Sequence, residues 1–436
     1  MANSVRLFGE LFAEPTRNGL TRPKAVRGAG VKMVNMGELF AYPRLKDAPM
    51  DRVPLSDTEA GRFLLNEKDL LFARQSLVLD GAGKCSIFLR DKEPVTFESH
   101  VTRVRLDSSE ADPRYYYYYF QSQHGRSAIQ SIVEQGAGAA GIRGRDLEKL
   151  LVHWRPLAEQ SSIADLLSAL DDKIEQNRKT ALTAEQLARA IFRAWFVDFE
   201  PVRVKASGGT SFPSMPQSVF DSLPNRFVDS DSGLIPDGWE VKSIGDVVSV
   251  KGGATPSTKN PEYWENGVHC WATPRDMSRL SHPVLLDTER RITDSGVGCI
   301  SSGLLPVGTV LMSSRAPVGY LAIAGIPTAI NQGFIAMVCD GPLPPTYVLQ
   351  WAEASMDAIH ARASGTTFPE ISKKNFRPLP IVVPPSNLLM AFQSLADPLF
   401  ELVTSVISED RPLESMRDYL LPRLIGGNLS VRAING

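Results

Sequence analysis

The clearest pattern in the chain is a spacing of apolar residues that alternates between three and four positions. It runs from position 163 to 195 and again from 388 to 420. This spacing keeps one apolar stripe on one side of a helix, as in a coiled coil. It therefore predicts two long helices. The seam positions are Ile163, Leu167, Leu170, Ile174 and Asn177 in the first helix and Leu399, Leu402, Val406, Leu413 and Met416 in the second.

Two stripes of the same kind in one chain most simply pack on each other, so we expect an antiparallel coiled coil. Asn177 and Glu409 are polar residues within the seams. Such residues fix the register of a coiled coil at a cost in stability. Pro398 and Pro412 interrupt the second stretch and predict a kink or a restart of that helix. Asp397 would then be the N-cap of the restarted helix.

The chain also contains an internal repeat. A shift of 229 residues pairs the ends of its two halves without a gap, as Gly136 with Gly365. Earlier in each half the register drifts, so that Arg74 matches Arg315 at a shift of 241. Changes in length mark surface loops. The alternative, an ordinary helical hairpin inside one domain, does not explain why each helix ends one copy.

The predicted fold class is α+β, with two tandem mixed α/β domains that are each followed by a long helix. Short β-branched runs and Gly/Pro turns indicate the strands of both domains. The segment between the copies is rich in Ser, Gly and Pro and predicts a linker. The predicted boundaries are 1–158 for the first domain, 159–200 for the central helix, 201–232 for the linker, 233–385 for the second domain, 386–427 for the distal helix and 428–436 for a tail.

Composition excludes some classes of protein. The 436 residues carry a net charge of −2, so any attraction for nucleic acid must come from a local patch or a partner. Cys85, Cys270, Cys299 and Cys339 form no CxxC pair, which predicts free thiols in a reducing cytosol and no metal site. The uncharged stretch 316–339 is broken by Gly and Pro, and a Glu interrupts the apolar N-terminus. We therefore expect neither a membrane span nor a secretion signal.

Four segments carry a family resemblance. They are ALDDKIEQNR at 169–178, WFVDFEPV at 195–202, LIPDGW at 234–239 and LLPRLIGG at 420–427. Together with the tandem organisation, they resemble the specificity subunit of type I restriction-modification systems. The resemblance covers nearly the whole chain. Its motifs are specific in the helices and weak in the first domain.

The resemblance implies a non-catalytic, sequence-specific DNA-binding subunit of a cytoplasmic prokaryotic complex. Each domain would be a target-recognition domain for one half of a bipartite site in double-stranded DNA. The helices would set the spacing and dock two methyltransferase (modification) subunits, which restriction/translocase subunits would join. The chain itself would bind no cofactor, whereas the complex would use S-adenosylmethionine, and ATP with Mg²⁺ when the translocase is present.

DNA contact uses cations that neutralise phosphates, hydroxyls that donate hydrogen bonds to them, and arginines that reach base edges. Arg74 and Arg315 follow strand-like runs at matching places, and a structural salt bridge is the alternative for each. Thr366, Thr367, Lys373 and Lys374 would meet phosphates, unless they only form a turn into the helix. The remaining predicted contacts are Arg17, Arg22, Lys24, Arg27 and Lys32 in one basic loop and Lys251 and Lys259 in its counterpart. The alternative for the first loop is a solvated loop that contacts no DNA.

The run of tyrosines from 115 to 119 is predicted to be core or interface, because five consecutive residues cannot all face one side for base stacking. Pro236, Asp237, Glu240 and Lys242 superficially resemble a nuclease motif, but its two acids usually come from separate strands. We find no methylation, Walker or nucleophile-elbow motif and predict no catalytic residue. The alternatives are a stand-alone nuclease or DNA methyltransferase, and a coiled-coil adaptor that binds only protein.

Overall fold

The computed structural model describes residues 4–136, 138–230, 233–365 and 369–431. The chain divides into two compact units, Met1–Ile174 with Pro412–Gly436, and Glu175–Arg411. Each unit contains one half of the sequence repeat and part of both long helices. Two tandem mixed α/β domains, each followed by a long helix, are therefore present as predicted.

Within the described residues, the first unit contains thirteen strands and five short α-helices before the first long helix. The strands are β1 (Ser4–Leu7), β2 (Phe12–Asn18), β3 (Val31–Val34), β4 (Arg44–Lys46), β5 (Asp51–Val53), β6 (Leu70–Ala73), β7 (Gln75–Ser76), β8 (Cys85–Arg90), β9 (Val95–Phe97), β10 (Val101–Leu106), β11 (Glu134–Gln135), β12 (Ala140–Gly141) and β13 (Leu151–Trp154). The helices are α1 (Met36–Ala41), α2 (Asp57–Phe63), α3 (Pro113–Gln121), α4 (Gln123–Gln130), α5 (Gly144–Glu148) and the long α6 (Leu157–Phe192).

The second unit follows a π-helical turn at Arg193–Val197. Its strands are β14 (Phe227–Ser230), β15 (Gly233–Pro236), β16 (Glu240–Ser243), β17 (Ser249–Lys251), β18 (His269–Ala272), β19 (Val284–Leu285), β20 (Arg290–Ile292), β21 (Val310–Ser314), β22 (Val318–Ala324), β23 (Thr328–Ile330), β24 (Phe334–Val338) and β25 (Pro380–Val383). Its helices are α7 (Glu200–Ala206), α8 (Gln217–Ser222), α9 (Ile244–Val247), α10 (Pro274–Met277), α11 (Asp294–Gly298), α12 (Pro345–Ala354), α13 (Met356–Ala361), α14 (Lys373–Phe376) and the long α15 (Ser386–Gly426).

The sheets of the two units have the same topology. The five-stranded sheet has the order β2-β10-β6-β8-β4 in the first unit and β17-β24-β21-β22-β19 in the second. In both, the edge strand that comes last in this order is parallel to its neighbour, and the other pairs are antiparallel. A three-stranded sheet, β5-β3-β9 or β20-β18-β23, again contains one parallel pair. The repeat seen in the sequence is thus a structural repeat.

The central strand of each five-stranded sheet is completely buried. All residues of β6 and of β21 are buried, because they read as continuous apolar or small-residue runs rather than as an alternation. Packed helices cover these sheets, with Tyr116 and Phe120 of α3 in the first unit and Tyr347 of α12 in the second belonging to the cores. Each central strand therefore provides a rigid position for the residue that follows it.

Both long helices are continuous. Helix α6 has 36 residues and α15 has 41. The predicted restart at Pro398 and Pro412 is wrong, because α15 continues through both prolines. Both prolines are exposed, and the residues four positions earlier, Ser394 and Ser408, are exposed as well. The carbonyl groups that lose a helical partner therefore lie on the exposed side of the helix, where water can satisfy them. Asp397 is no N-cap and accepts a hydrogen bond from Thr346 at 2.8 Å.

The two helices run antiparallel within each unit. In the second unit, Asn177 donates to the carbonyl of Val406 at 3.4 Å, and the rings of Phe192 and Phe392 lie 6.0 Å apart. In the first unit, Arg155, two residues before α6, donates to the carbonyl of Ile425, and Arg417 donates to Asp171 of α6, each at 3.0 Å. In both cases the partner number falls as the number on α6 rises.

The structure places most of the first predicted seam inside. Ile163, Leu167, Ile174 and Asn177 are buried, and Leu170 is half-buried. In the second helix Leu399, Val406 and Leu413 are half-buried.

The assignment of two residues to the second seam is wrong, because Leu402 is 41% and Met416 is 51% exposed. Next to Leu402, the buried positions are Phe400 and Val403. A straight helix has 3.6 residues per turn, so a strict count of 3.5 drifts off the contact side.

Residues 201–230, where composition predicts a linker, are folded. They form α7, α8 and β14, and Val202 and Phe220 are buried in the core of the second unit. The ammonium group of Lys205 donates to three carbonyls at the end of α8, including those of Asp221 and Leu223, both at 2.6 Å. These residues therefore belong to the second unit rather than to a solvated spacer. No helix within the described ranges is long and apolar enough to cross a membrane.

Candidate nucleic-acid interface

Two arginines occupy the same position in the two units. Arg74 directly follows β6, and Arg315 directly follows β21, so each lies at the end of a buried central strand. A guanidinium group of Arg74 donates to the carbonyl of Ser99 at 3.3 Å. Arg315 lies 3.7 Å from a carboxylate oxygen of Glu370, and its side chain is 38% exposed. The match predicted from the sequence repeat is thus a match in three dimensions.

A cleft of about 280 Å³ lies beside Arg74 in the first unit. Gln75 and Gln135 line it, together with Arg143, which forms an ion pair with Glu134. Strand β12 forms one wall and pairs with β7, the strand that begins right after Arg74. Arginine and glutamine are the side chains that bond two atoms of a guanine or adenine edge, so this cleft has the chemistry to contact bases.

The predicted basic loop at 17–32 has a different structure from the one expected. Arg17 belongs to β2, and its guanidinium group lies 5.6 Å from the ring centre of Phe63. Arg22 forms an ion pair with Glu59 at 2.6 Å. The hydrogen bond from Arg22, helped by those from Ser56, lowers the pKa of Glu59 to about 2.

Two further cations of this segment have carboxylate partners. Arg27 lies 3.1 Å from Asp51, and Lys32 contacts Asp91 at 2.9 Å. Within 17–32, all of which the structure describes, Lys24 is the cation that is exposed and has no carboxylate partner. Arg22, Arg27 and Lys32 therefore already have carboxylate partners, and their contact with DNA stays a prediction. A local count of charge misses acids that the fold brings in from other segments.

In the second unit the structure brings two of the predicted lysines together. Lys251 is exposed at the end of β17. A Cβ atom on the next residue, Gly252, would lie 3.1 Å from the ammonium nitrogen of Lys373. The amide of Ile371 donates to the carbonyl of Ser314 at 3.0 Å, which links this segment to the position of Arg315. Cations from three distant parts of the sequence thus lie on connected segments.

The remaining predicted residues of this unit are less informative. Lys259 and Lys374 are exposed. Thr366 and Thr367 lie outside the described residues. Lys374 belongs to the short α14, whose N-cap Ser372 accepts a hydrogen bond from Asn375.

One group in the second unit has no signal in the sequence. The guanidinium group of the exposed Arg290 lies 3.8 Å from the ring centre of Trp264 and 5.2 Å from that of Trp271. Strand β20 pairs with β18 and places Arg290 opposite Trp271. Only this strand pairing reveals the cluster, because Trp264 and Arg290 lie far apart along the chain. Aromatic and arginine side chains together suit contact with bases or backbone.

The tyrosine run is core, as predicted. All five residues from Tyr115 to Tyr119 are buried in α3. The hydroxyl of Tyr118 donates to Asp171 of α6 at 2.7 Å. Burial raises the pKa of Tyr115 to about 12, so its hydroxyl stays protonated. The run therefore attaches the first domain to the long helix and cannot stack on bases.

Charged pairs fix each domain to the helix portions of its own unit. In the first unit Arg44 of β4 contacts Asp172 of α6. In the second unit His282 contacts Glu185, and Arg411 contacts Asp287 at 2.6 Å. Burial alone would raise the pKa of Asp287, but its hydrogen bonds, with Arg411 first among them, lower it overall. Each recognition surface is thus rigidly connected to helix.

The family model for the type I restriction modification DNA specificity domain matches residues 55–184 and 236–388, which is more than half of the chain. The chain belongs to this DNA specificity family. Each matched range covers most of one domain and the first part of the helix behind it. The family match therefore follows the structural repeat.

Curated relatives in the specificity family are type I restriction enzyme subunits. The HindI specificity subunit of Haemophilus influenzae is 27% identical over 310 residues, which cover 62% of this chain and 67% of that protein. The MjaIX specificity subunit of Methanocaldococcus jannaschii is 38% identical over 161 residues, which cover 36% of this chain and only 37% of that relative. The crystal structure of the S subunit of the M. genitalium type I system has the same fold, with a TM-score of 0.61, 15% identity and coverage of 97% and 96%.

The charged nuclease-like residues of this specificity-family member form ion pairs. Asp237 forms an ion pair with Arg226 at 2.7 Å, and Glu240 forms one with Lys242 at 2.8 Å. No group of three or more potential metal ligands occurs in the part of the chain that the structure describes. The two carboxylates therefore have local partners.

Proposed function

We propose that this chain is the DNA-recognition subunit of a type I restriction-modification complex. Each domain binds one half of a bipartite sequence, and the long helices set the distance between the halves. The observation that carries the proposal is the structural repeat, in which two domains with the same strand order each present an arginine at the end of the central strand. The chain supplies recognition and no catalysis.

The two halves of the target differ in sequence. The domains share their sheets but differ in the loops and side chains around Arg74 and Arg315. An amide-lined cleft adjoins Arg74, whereas a lysine pair and an Arg–Trp cluster belong to the unit of Arg315. Different side chains at equivalent positions favour different bases. A tandem chain can thus bind a target without the symmetry that a homodimer requires.

The central helix is long enough to separate two recognition sites. Its 36 residues at about 1.5 Å each span roughly 54 Å. One turn of DNA measures roughly 35 Å, so a helix of this length fits half-sites about one turn or more apart. The charged pairs that fix each domain to its helix portion support this role, because a loosely attached domain would not define a spacing.

The same helices offer surfaces for other subunits. Leu182 and Leu187 of α6 and Met416 and Tyr419 of α15 are exposed large apolar residues. Exposed apolar groups of this kind are typical of surfaces that contact protein. We assign them to two methyltransferase subunits, which supply S-adenosylmethionine chemistry. Restriction/translocase subunits, with ATP and Mg²⁺, would join that assembly.

The test is to express the chain with its methyltransferase subunits in cells that lack other DNA methylation, and to sequence the methylated positions. The proposal expects one bipartite motif that disappears when this chain is omitted. A motif that persists without the chain contradicts the proposal. The purified chain alone should neither methylate nor cut DNA, with S-adenosylmethionine or with Mg²⁺.

A further inference from the structure

An exposed apolar tip projects from the first recognition domain. Leu77, Val78 and Leu79 are 90%, 64% and 49% exposed. They follow the short strand β7, in the connection between the central strand β6 and β8. Three consecutive large apolar residues exposed to water are unfavourable unless a partner covers them. Their position, directly after Arg74 and Gln75, connects them to the amide-lined cleft.

The base of this loop is built to hold its tip in place. The amide of Gly83 donates to the carbonyl of Ala73 at 2.8 Å and closes the loop. The amide of Val78 donates to the hydroxyl of Ser76 at 3.2 Å. A Cβ atom on Gly81 would lie 2.2 Å from that same hydroxyl oxygen, so the glycine permits the close turn. The tip is therefore presented by an ordered base.

The second domain lacks this feature. At the equivalent place, only residues 315–317 join β21 to β22. A surface that binds the same partner subunit on both halves of the chain should occur in both domains. A feature that only one domain has should instead bind something that differs between the two half-sites, and what differs there is the DNA sequence. This step rests on the proposed function.

We infer that the Leu77–Val78–Leu79 tip packs against bases of the first half-site. Apolar side chains contact DNA in two ways that involve bases, namely against thymine methyl groups in the major groove and as wedges between base steps. Arg74 and Gln75 at the foot of the loop then make polar contacts to neighbouring bases. The tip thus adds shape and methyl recognition to a half-site that the second domain does not share.

The experiment measures equilibrium binding of the complex to its target duplex and to duplexes with either half-site scrambled. Leu77→Ala should weaken binding about tenfold on the target and on DNA that keeps the first half-site. It should change nothing on DNA that lacks the first half-site, and the salt dependence should be that of the parent, because no phosphate contact is lost. Leu151→Ala is the matched control, since Leu151 is 60% exposed in the same unit.

Two substitutions in the DNA identify the contact. Replacing each thymine of the first half-site by uracil should reproduce the loss at one position if the tip contacts a methyl group. A 2-aminopurine signal that rises with the parent but not with Leu77→Ala indicates insertion between base steps. Equal loss on every duplex, or normal DNA binding with weaker assembly with the methyltransferase, overturns the inference. A parent complex that binds target and scrambled DNA alike contradicts the proposed function itself.

Discussion

Replacing Arg315 by alanine should weaken recognition at the second half-site with little effect on folding. The ion pair of Arg315 with Glu370 is 3.7 Å long, and the two side chains are 38% and 49% exposed. Exposed pairs of this kind contribute at most about 1 kcal/mol to stability. A lost bidentate base contact costs about 1–3 kcal/mol, and about 1.4 kcal/mol corresponds to a tenfold change in affinity. Binding should therefore fall by roughly 5- to 150-fold.

The assay compares affinities for duplexes in which each base pair of the second half-site is replaced in turn. In the Arg315→Ala complex, one position should lose its preference while the others keep theirs. Arg315→Lys is the control, because lysine keeps the charge but has no planar fork for a base edge. If lysine restores full affinity, or if alanine weakens binding equally at every position, Arg315 contacts a phosphate and the reasoning is refuted.

Three further predictions concern charged and polar side chains whose roles follow from their contacts in the structure. Lys24→Ala should reduce the salt dependence of DNA binding. Arg22→Ala should leave that salt dependence unchanged and lower the melting temperature of the protein. The reverse pattern would mean that Arg22, despite its ion pair with Glu59, contacts DNA. Asn177 is buried and donates to Asp410 at 2.8 Å, so Asn177→Ala should destabilise the second unit by about 1–3 kcal/mol in chemical denaturation, and no change would exclude it as a register-fixing residue. Burial alone would raise the pKa of Asp112, but its hydrogen bonds, first from Arg114, lower this pKa below its ordinary value. The Asp112 carboxylate should therefore stabilise the fold fully at neutral pH, and this stabilisation should be lost as the pH falls through the lowered pKa. The free energies of unfolding of Asp112→Asn and the parent, measured against pH, should thus converge in acid.

The sequence was sufficient to predict the repeat and both long helices. These features depend on spacing along the chain, and a heptad pattern or a shared register needs no knowledge of distant contacts. The matched position of Arg74 and Arg315 followed from the same repeat, at a shift of 241 instead of 229. Each proved to follow a central strand of equal topology.

What the sequence did not predict depends on contacts between distant segments. Arg22 and Lys32 looked free because Glu59 and Asp91 are far from them in sequence. The cluster of Arg290 with Trp264 arises only from strand pairing. The predicted second seam includes Leu402, whereas the buried residue is its neighbour Val403. Both residues are apolar and fit a three-four spacing, so only the packing of the folded chain shows which of them is buried.

The most direct test of the account lengthens the helices. Four residues inserted after Thr180 in α6, paired with four after Thr404 in α15, preserve an antiparallel pair while lengthening it by about 6 Å. Asn177 opposite Val406 shows that these two points are near each other along the helices. A base pair rises by about 3.4 Å, so the spacer should grow by about two base pairs. The control carries four residues after Thr210, in the exposed loop between α7 and α8.

The measurement is the methylated motif, sequenced for the parent, the helix variant and the loop control. The account predicts unchanged half-sequences in all three, a longer spacer in the helix variant and the parental spacer in the control. Altered half-sequences with an unchanged spacer would contradict the account. The helices would then determine which bases are recognised, and they would not set the distance between the half-sites.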